Sequence, residues 1–168
     1  MVLLVHGLPG DPERLGATLK QVVVRSIDEA VRRGASQVEA EHLLLSIAAT
    51  DDPAAAALAE FGLDHSGIDA VLSGERERAL RAAGLEPVAD ERLQATRSSR
   101  PRWGSSIRDA LRRADFRAHR DRARVERERL AVADALVGVL RAELGTVPRA
   151  LAYAGVDRSA LIARVQQR

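Results

Sequence analysis

From Trp103 onward the chain restates its own first half, and an internal repeat of this length restricts the fold more than any other feature of the sequence. Leu15-Gly16-Ala17-Thr18-Leu19-Lys20 is answered 88 residues later by Trp103-Gly104-Ser105-Ser106-Ile107-Arg108. At the same offset Arg25 meets Arg113 and Ala30 meets Ala118. Further along the offset becomes 92, pairing Leu44, Leu45 and Ile47 with Leu136, Val137 and Val139. It closes at 93, where Phe61-Gly62-Leu63-Asp64 meets Ala154-Gly155-Val156-Asp157, and Ile68 and Leu72 meet Leu161 and Val165. The drift implies a net insertion of four residues in the second copy, within the Arg-rich stretch 119–129. Identity is low, yet apolar spacing and turn glycines agree. Two units this small are expected to share one core.

Each copy reads as helical. Only 2% of the residues are aromatic, so the core must come from Leu, Val, Ile and Ala, a palette that favours helices. In the first copy Leu19, Val22, Val23, Ile27 and Ala30 form one stripe of a helix that Gly34 stops. A second helix is expected over about 38–49, and a third over about 53–61, capped by Asp51-Asp52-Pro53. A short fourth carries Ile68, Val71 and Leu72. Residues 73–102, rich in Glu, Arg, Gly and Ser, read as a connector with a helical turn at 75–83. The expected fold class is all-α: two pseudo-twofold-related four-helix repeats forming one compact helical domain. Its parts are an extended arm at 1–14, repeat 1 at 15–72, the connector, and a degenerate repeat 2 at 103–168.

Several functions are excluded or disfavoured. With no cysteine, disulfides and thiolate metal sites are absent. The segment 1–8 is apolar but too short and too soon broken for a signal peptide or membrane span, and no later apolar run approaches about 18 residues. A cytoplasmic protein with no membrane partner is expected. The net charge is only +2, and Lys20 is the sole lysine, so the Arg-rich composition gives little reason to expect nucleic acid as a partner. Arg112, Arg113, Arg117, Arg120, Arg122, Arg124, Arg127 and Arg129 are interrupted by Asp109, Asp115, Asp121, Glu126 and Glu128, the pattern of a solvated helix face with i,i+4 pairs. The alternative reading, a small Arg-rich helical anion or nucleic-acid binder, rests on that stretch.

The start Val2-Leu3-Leu4-Val5-His6-Gly7 is similar to the oxyanion loop of an α/β-hydrolase. That fold also needs a Gly-x-Ser-x-Gly elbow and a later acid–His pair, and this sequence has neither. His6, His42, His65 and His119 show no metal-ligand spacing. No catalytic residue, metal or cofactor is expected, and no enzyme activity.

The run Glu41-His42-Leu43-Leu44-Leu45 resembles the entry to the second helix of the Clp N-terminal repeat. Ile27-Asp28-Glu29-Ala30, Gly34 and the closing Leu58-Ala59-Glu60-Phe61-Gly62-Leu63-Asp64 are similar to other parts of that repeat. The second copy departs from it: Ala133-Asp134-Ala135-Leu136 stands where Glu-His-Leu-Leu would be. In the family this domain precedes AAA+ modules of the ClpA, ClpB and ClpC type. These 168 residues contain no Gly-x-x-x-x-Gly-Lys-Ser/Thr loop, so the chain resembles the binding domain in free-standing form. The resemblance implies a non-catalytic protein- or peptide-binding module of the Clp unfoldase–protease system: an adaptor, a substrate collector, or a decoy for ligands of ClpC. Free-standing actinobacterial Clp N-repeat proteins are its closest precedent. The implied partners are Clp ATPase or protease components, or their substrates and peptide ligands.

The resemblance also implies candidate binding residues. In ClpC-like members the Glu of the Glu-His motif helps hold the guanidinium of phosphoarginine, and a Thr at the first helix start helps hold its phosphate. Glu41 keeps the carboxylate. The Thr position is Gly16 in the first copy and Gly104 in the second, and the second carboxylate is Ala133. Thr18, Ser105 and Ser106 are possible substitutes, since a hydroxyl at a helix N-terminus suits a phosphate. These departures imply phosphoarginine binding that is weak and confined to the first copy, or absent. A structural reading stands beside this: Glu41 as a helix-start acid favoured by the dipole, His42 as a buried hydrogen-bonding residue, and Trp103 packed inward.

Overall fold

A computed structural model describes residues 18–86 and 100–167; the arm expected at 1–14, Gly16 and residues 87–99 lie outside the described residues. Within them the first copy forms α1 (Leu19–Arg32), α2 (Ala40–Ala48), α3 (Pro53–Glu60) and α4 (His65–Ala82). The second forms α5 (Ser105–Arg113), α6 (Arg124–Leu140), α7 (Thr146–Tyr153) and α8 (Arg158–Gln166). The fold is all-α, as the repeat pattern predicts.

Local chemistry sets the helix ends. Thr18 caps α1 reciprocally: its hydroxyl accepts from the Gln21 amide, and Gln21 Oε1 accepts from the Thr18 amide. Asp52 caps α3 with Pro53 at its first position. Gly62 and Gly155, matched at offset 93, both adopt the left-handed conformation, at φ 72° and 69°. They close α3 and α7 in the same way.

The helix contacts are their own image under exchange of the copies. α1 packs on α2 as α5 packs on α6, and α1 meets α6 as α5 meets α2. α3 lies against α8 as α7 lies against α4, so each copy's third helix rests on the other's fourth. α2 and the second half of α6, from Val132 onward, fill the centre, which is why both stretches are apolar nearly all round. Leu43, Leu44, Leu45 and Ile47 are buried beside Leu136, Val139 and Leu140.

The first and second helices of each copy cross closely, by two different means. In the first, the Ser46 hydroxyl donates to the Val22 carbonyl oxygen at 2.6 Å. In the second, the matching residue is Gly138, and a Cβ there would fall well inside contact distance of the Ala110 carbonyl oxygen. Beside this crossing Arg113 Nε donates to the Gly138 carbonyl at 2.9 Å, as Arg25 donates to the Ala49 carbonyl at 3.3 Å in the first copy.

Two features depart from the sequence expectation. α4 continues to Ala82, ten residues beyond Leu72, through the stretch read as the start of the connector. Glu75 on this extension is buried and accepts from Arg149 Nε of α7 at 2.6 Å, a partner that sequence proximity does not announce. Trp103 does not pack inward. It lies in a two-residue strand, β2 (Arg102–Trp103), paired in parallel with β1 (Gln37–Val38), and its side chain is 40% exposed.

Candidate functional site

Past β1 the chain enters α2, and Glu41 occupies its first turn. A groove of about 590 Å³ opens there, lined by the 33–37 turn, Glu39, Glu41, His42, the end of α4 from Leu72 to Leu80, and Thr146 at the start of α7. Glu41 is half-buried, and among the described residues its carboxylate makes no ion pair or hydrogen bond to another side chain. Burial is the main force holding its carboxyl above the usual range. A hydrogen bond from its own backbone amide opposes this, Glu39 and Glu75 add to it, and Arg33 opposes it.

The neighbours of Glu41 are committed elsewhere. Arg33 pairs with Asp69, and Glu75 with Arg149. His42 is buried, and its Nδ1 accepts from the Glu39 amide at 2.9 Å, as a structural histidine should. Burial, with Arg33 adding, lowers its ring to about 4.

The start of the second copy is reached by a different carboxylate. Glu39 Oε2 accepts from the Ser106 amide at 2.9 Å and from the Ser106 hydroxyl. The same hydroxyl accepts from the Ala40 amide at 2.8 Å. Gly104 caps α5, and a Cβ on it would collide with the Glu39 carboxylate, so the glycine makes room for that side chain. With the β1–β2 pairing, these bonds clasp the N-termini of α2 and α5 together. Thus Gly104 and Ser106 come together with Glu39 rather than with Glu41. Ser105 is exposed on the first turn of α5, and Thr18 is engaged in capping α1, outside the groove that Glu41 lines. Gly16 lies outside the described residues.

Glu39 is the residue that sequence reasoning passed over. Its signal was faint: a second acid two places before Glu41, ahead of the helix, with its partner 67 residues away.

A second groove of about 480 Å³ occupies the pseudo-equivalent place. Ala133 and Asp134 line it where Glu41 and His42 line the first, Val165 stands for Leu72, and Pro53 stands for Thr146. Asp134 sits 3.4 Å from His119 Nε2 there. No unshared carboxylate corresponding to Glu41 is present, because its position is Ala133. The Arg-rich segment beside this groove is laced by its own acids: Arg112 with Asp109, Arg122 with Glu126, and Arg124 with Glu128. Among the described residues no cluster of three or more His, Asp or Glu could hold a metal ion, and no helix is long and apolar enough to cross a membrane.

The duplicated helices, the Glu41-His42 entry to α2 and the paired grooves agree with a comparison against family models, in which the Clp repeat (R) N-terminal domain matches residues 14–154. The chain belongs to this family. No curated protein matches it. Clp repeat N-terminal domains are protein-interaction modules that bind components and substrates of Clp ATPase systems. The match covers the first copy and the second as far as the end of α7, and it includes the residues lining the Glu41 groove.

Proposed function

We propose that this chain is a non-catalytic peptide-binding module of the Clp unfoldase–protease system, acting in the cytoplasm as an adaptor, a substrate collector or a decoy for ligands of ClpC. The Glu41 groove is its binding subsite, and it receives a cationic side chain of a protein or peptide. One observation carries this reading: a half-buried carboxylate without a side-chain partner, in a groove of about 590 Å³. A carboxylate held in such a place gains a charge-assisted hydrogen bond when a guanidinium enters. The alternative of an anion or nucleic-acid binder draws less support, because Arg112, Arg122 and Arg124 each pair with an acid three or four residues away.

The test is binding of a short arginine-containing peptide to the wild type and to Glu41→Gln. Losing one charge-assisted bond should weaken binding by roughly 10-fold or more, since such bonds contribute about 1.5–3 kcal/mol. Equal affinity in the variant would remove Glu41 from the site. A second arm repeats capture of Clp components at high salt. Capture that disappears in proportion to ionic strength would favour the electrostatic alternative.

A further inference from the structure

Glu41 stays without a side-chain partner although a guanidinium of the same chain lines its groove. Arg33, the residue that closes α1, has its side chain only 16% exposed there, and its charge favours ionisation of Glu41. The other two acids of the groove are engaged: Glu39 accepts from Ser106, and Glu75 accepts from Arg149. An unheld arginine in this place would therefore meet one open carboxylate, that of Glu41. The two would form a charge-assisted hydrogen bond, the stronger kind.

Asp69 diverts it. This residue stands on α4 one turn before Leu72 and does not itself line the groove. Its Oδ1 accepts from Arg33 Nη1 and, at 2.9 Å, from Arg32 Nη2. The two guanidiniums do not depend on it equally. Arg32 also donates from Nε to the buried Glu29 at 3.0 Å, whereas Asp69 is the one acid paired with Arg33 among the described residues. With the charge on Asp69 removed, Arg32 keeps a carboxylate and Arg33 does not. The second copy shows the converse. Ala133 stands there in place of Glu41, and the offset of 93 that pairs Ile68 with Leu161 places Ile162 where Asp69 would be. The copy with no carboxylate to keep open has no acid to keep it open.

Taking the Glu41 groove as the binding subsite, we infer that Asp69 is its positioning residue: it holds the Arg33 guanidinium away from Glu41 and so keeps that carboxylate open to a ligand from outside the chain. Without the charge on Asp69, Arg33 turns to Glu41 and fills the subsite from within. An ion pair at the stronger end of the surface range favours the paired state by about 5-fold. A subsite open only that fraction of the time binds its ligand about 5-fold more weakly.

The experiment follows the Glu41 carboxyl by carbon-detected NMR titration, and the binding of a labelled arginine-containing peptide by fluorescence anisotropy. The proteins are the wild type, Glu41→Gln, Asp69→Asn, Asp69→Glu and the double variant Asp69→Asn/Arg33→Leu. His65 Nε2, 2.7 Å from Glu29, still ties α4 to α1 in all of them, and Asp69→Ser replaces Asp69→Asn should the latter lose its fold by circular dichroism. In Asp69→Asn the Glu41 carboxyl is expected to titrate lower than in the wild type, and the peptide to bind about 5-fold more weakly. The double variant lacks the same charge at 69 and also the arginine, so it should reverse both changes, while Asp69→Glu should stay close to the wild type. A residue that only tied α1 to α4 would leave the Glu41 titration where it was. That result in folded Asp69→Asn would overturn the inference, as would changes that the double variant fails to reverse. Failure of the groove reading looks different: the peptide then does not bind the wild type, or ignores Glu41→Gln, and Asp69 has no subsite to serve whatever the titration shows.

Discussion

As pH falls from neutral, this protein should first lose stability through the His42 ring. The side chain is 3% exposed, and its Nδ1 must stay unprotonated to accept from the Glu39 amide. Burial, with Arg33 adding, lowers its folded-state value from 6.5 to about 4. The sign follows from linkage. Between those two values the unfolded chain binds a proton that the folded chain refuses, so stability present at neutral pH is lost as pH falls from about 6.5 towards 4. At about 1.4 kcal/mol per unit, the full interval corresponds to about 3 kcal/mol, a large share of the roughly 5–15 kcal/mol of a typical domain. Glu41 works in the opposite sense. Its folded-state value is raised, so the folded chain holds a proton more readily just above the ordinary carboxylate range and regains some stability there as pH falls. The two are separated by His42→Gln, which can still accept from the Glu39 amide and cannot become charged. Urea unfolding of both proteins from about pH 7 to pH 4.5 should show a steeper loss in the wild type, and NMR should place the ring titration well below 6.5. A ring that titrates near 6.5, or parallel pH profiles in the two proteins, would refute the argument.

Two glycine substitutions should move stability in opposite directions. Gly138→Ala drives a Cβ into the Ala110 backbone at the α5–α6 crossing and should destabilise by about 1–3 kcal/mol. Gly74→Ala, inside α4 with only an ordinary contact to Tyr153 at 3.5 Å, should stabilise by about 0.5–1 kcal/mol, and thermal melts of the pair check both signs. Thr18→Ala removes half of the reciprocal cap on α1 and should cost about 1 kcal/mol in urea unfolding; Thr18→Asn should restore most of it.

What could be read from the sequence was what neighbours dictate. Asp52 and Pro53 announce the start of α3, and the matched Gly62 and Gly155 announce its end and that of α7. The apolar runs of α2 and of the second half of α6 mark the two stretches that need covering on every side. What could not be read depends on partners distant in sequence. Glu75 looks like a connector acid until Arg149, 74 residues on, is placed beside it. Trp103 is expected inside because the resembled family packs a large apolar residue inward at this place, but parallel pairing with Gln37-Val38 holds its backbone at the domain's edge. The site shows the same division. Glu41 was legible as a helix-start acid in a recurring motif, whereas Glu39 has meaning only once Ser106 and Gly104 lie against it.

The crossed arrangement of third and fourth helices also decides how the molecule resists force. Arg164 of α8 grips Glu60 of α3 with two bonds, at 2.7 and 2.5 Å, across 104 residues of chain. A load applied along α8 is therefore delivered to the first copy as well as the second. α4, resting on α7, returns it the other way. Each copy's third helix thus packs on the other's fourth, so the two halves are expected to unfold together, in one step in place of two.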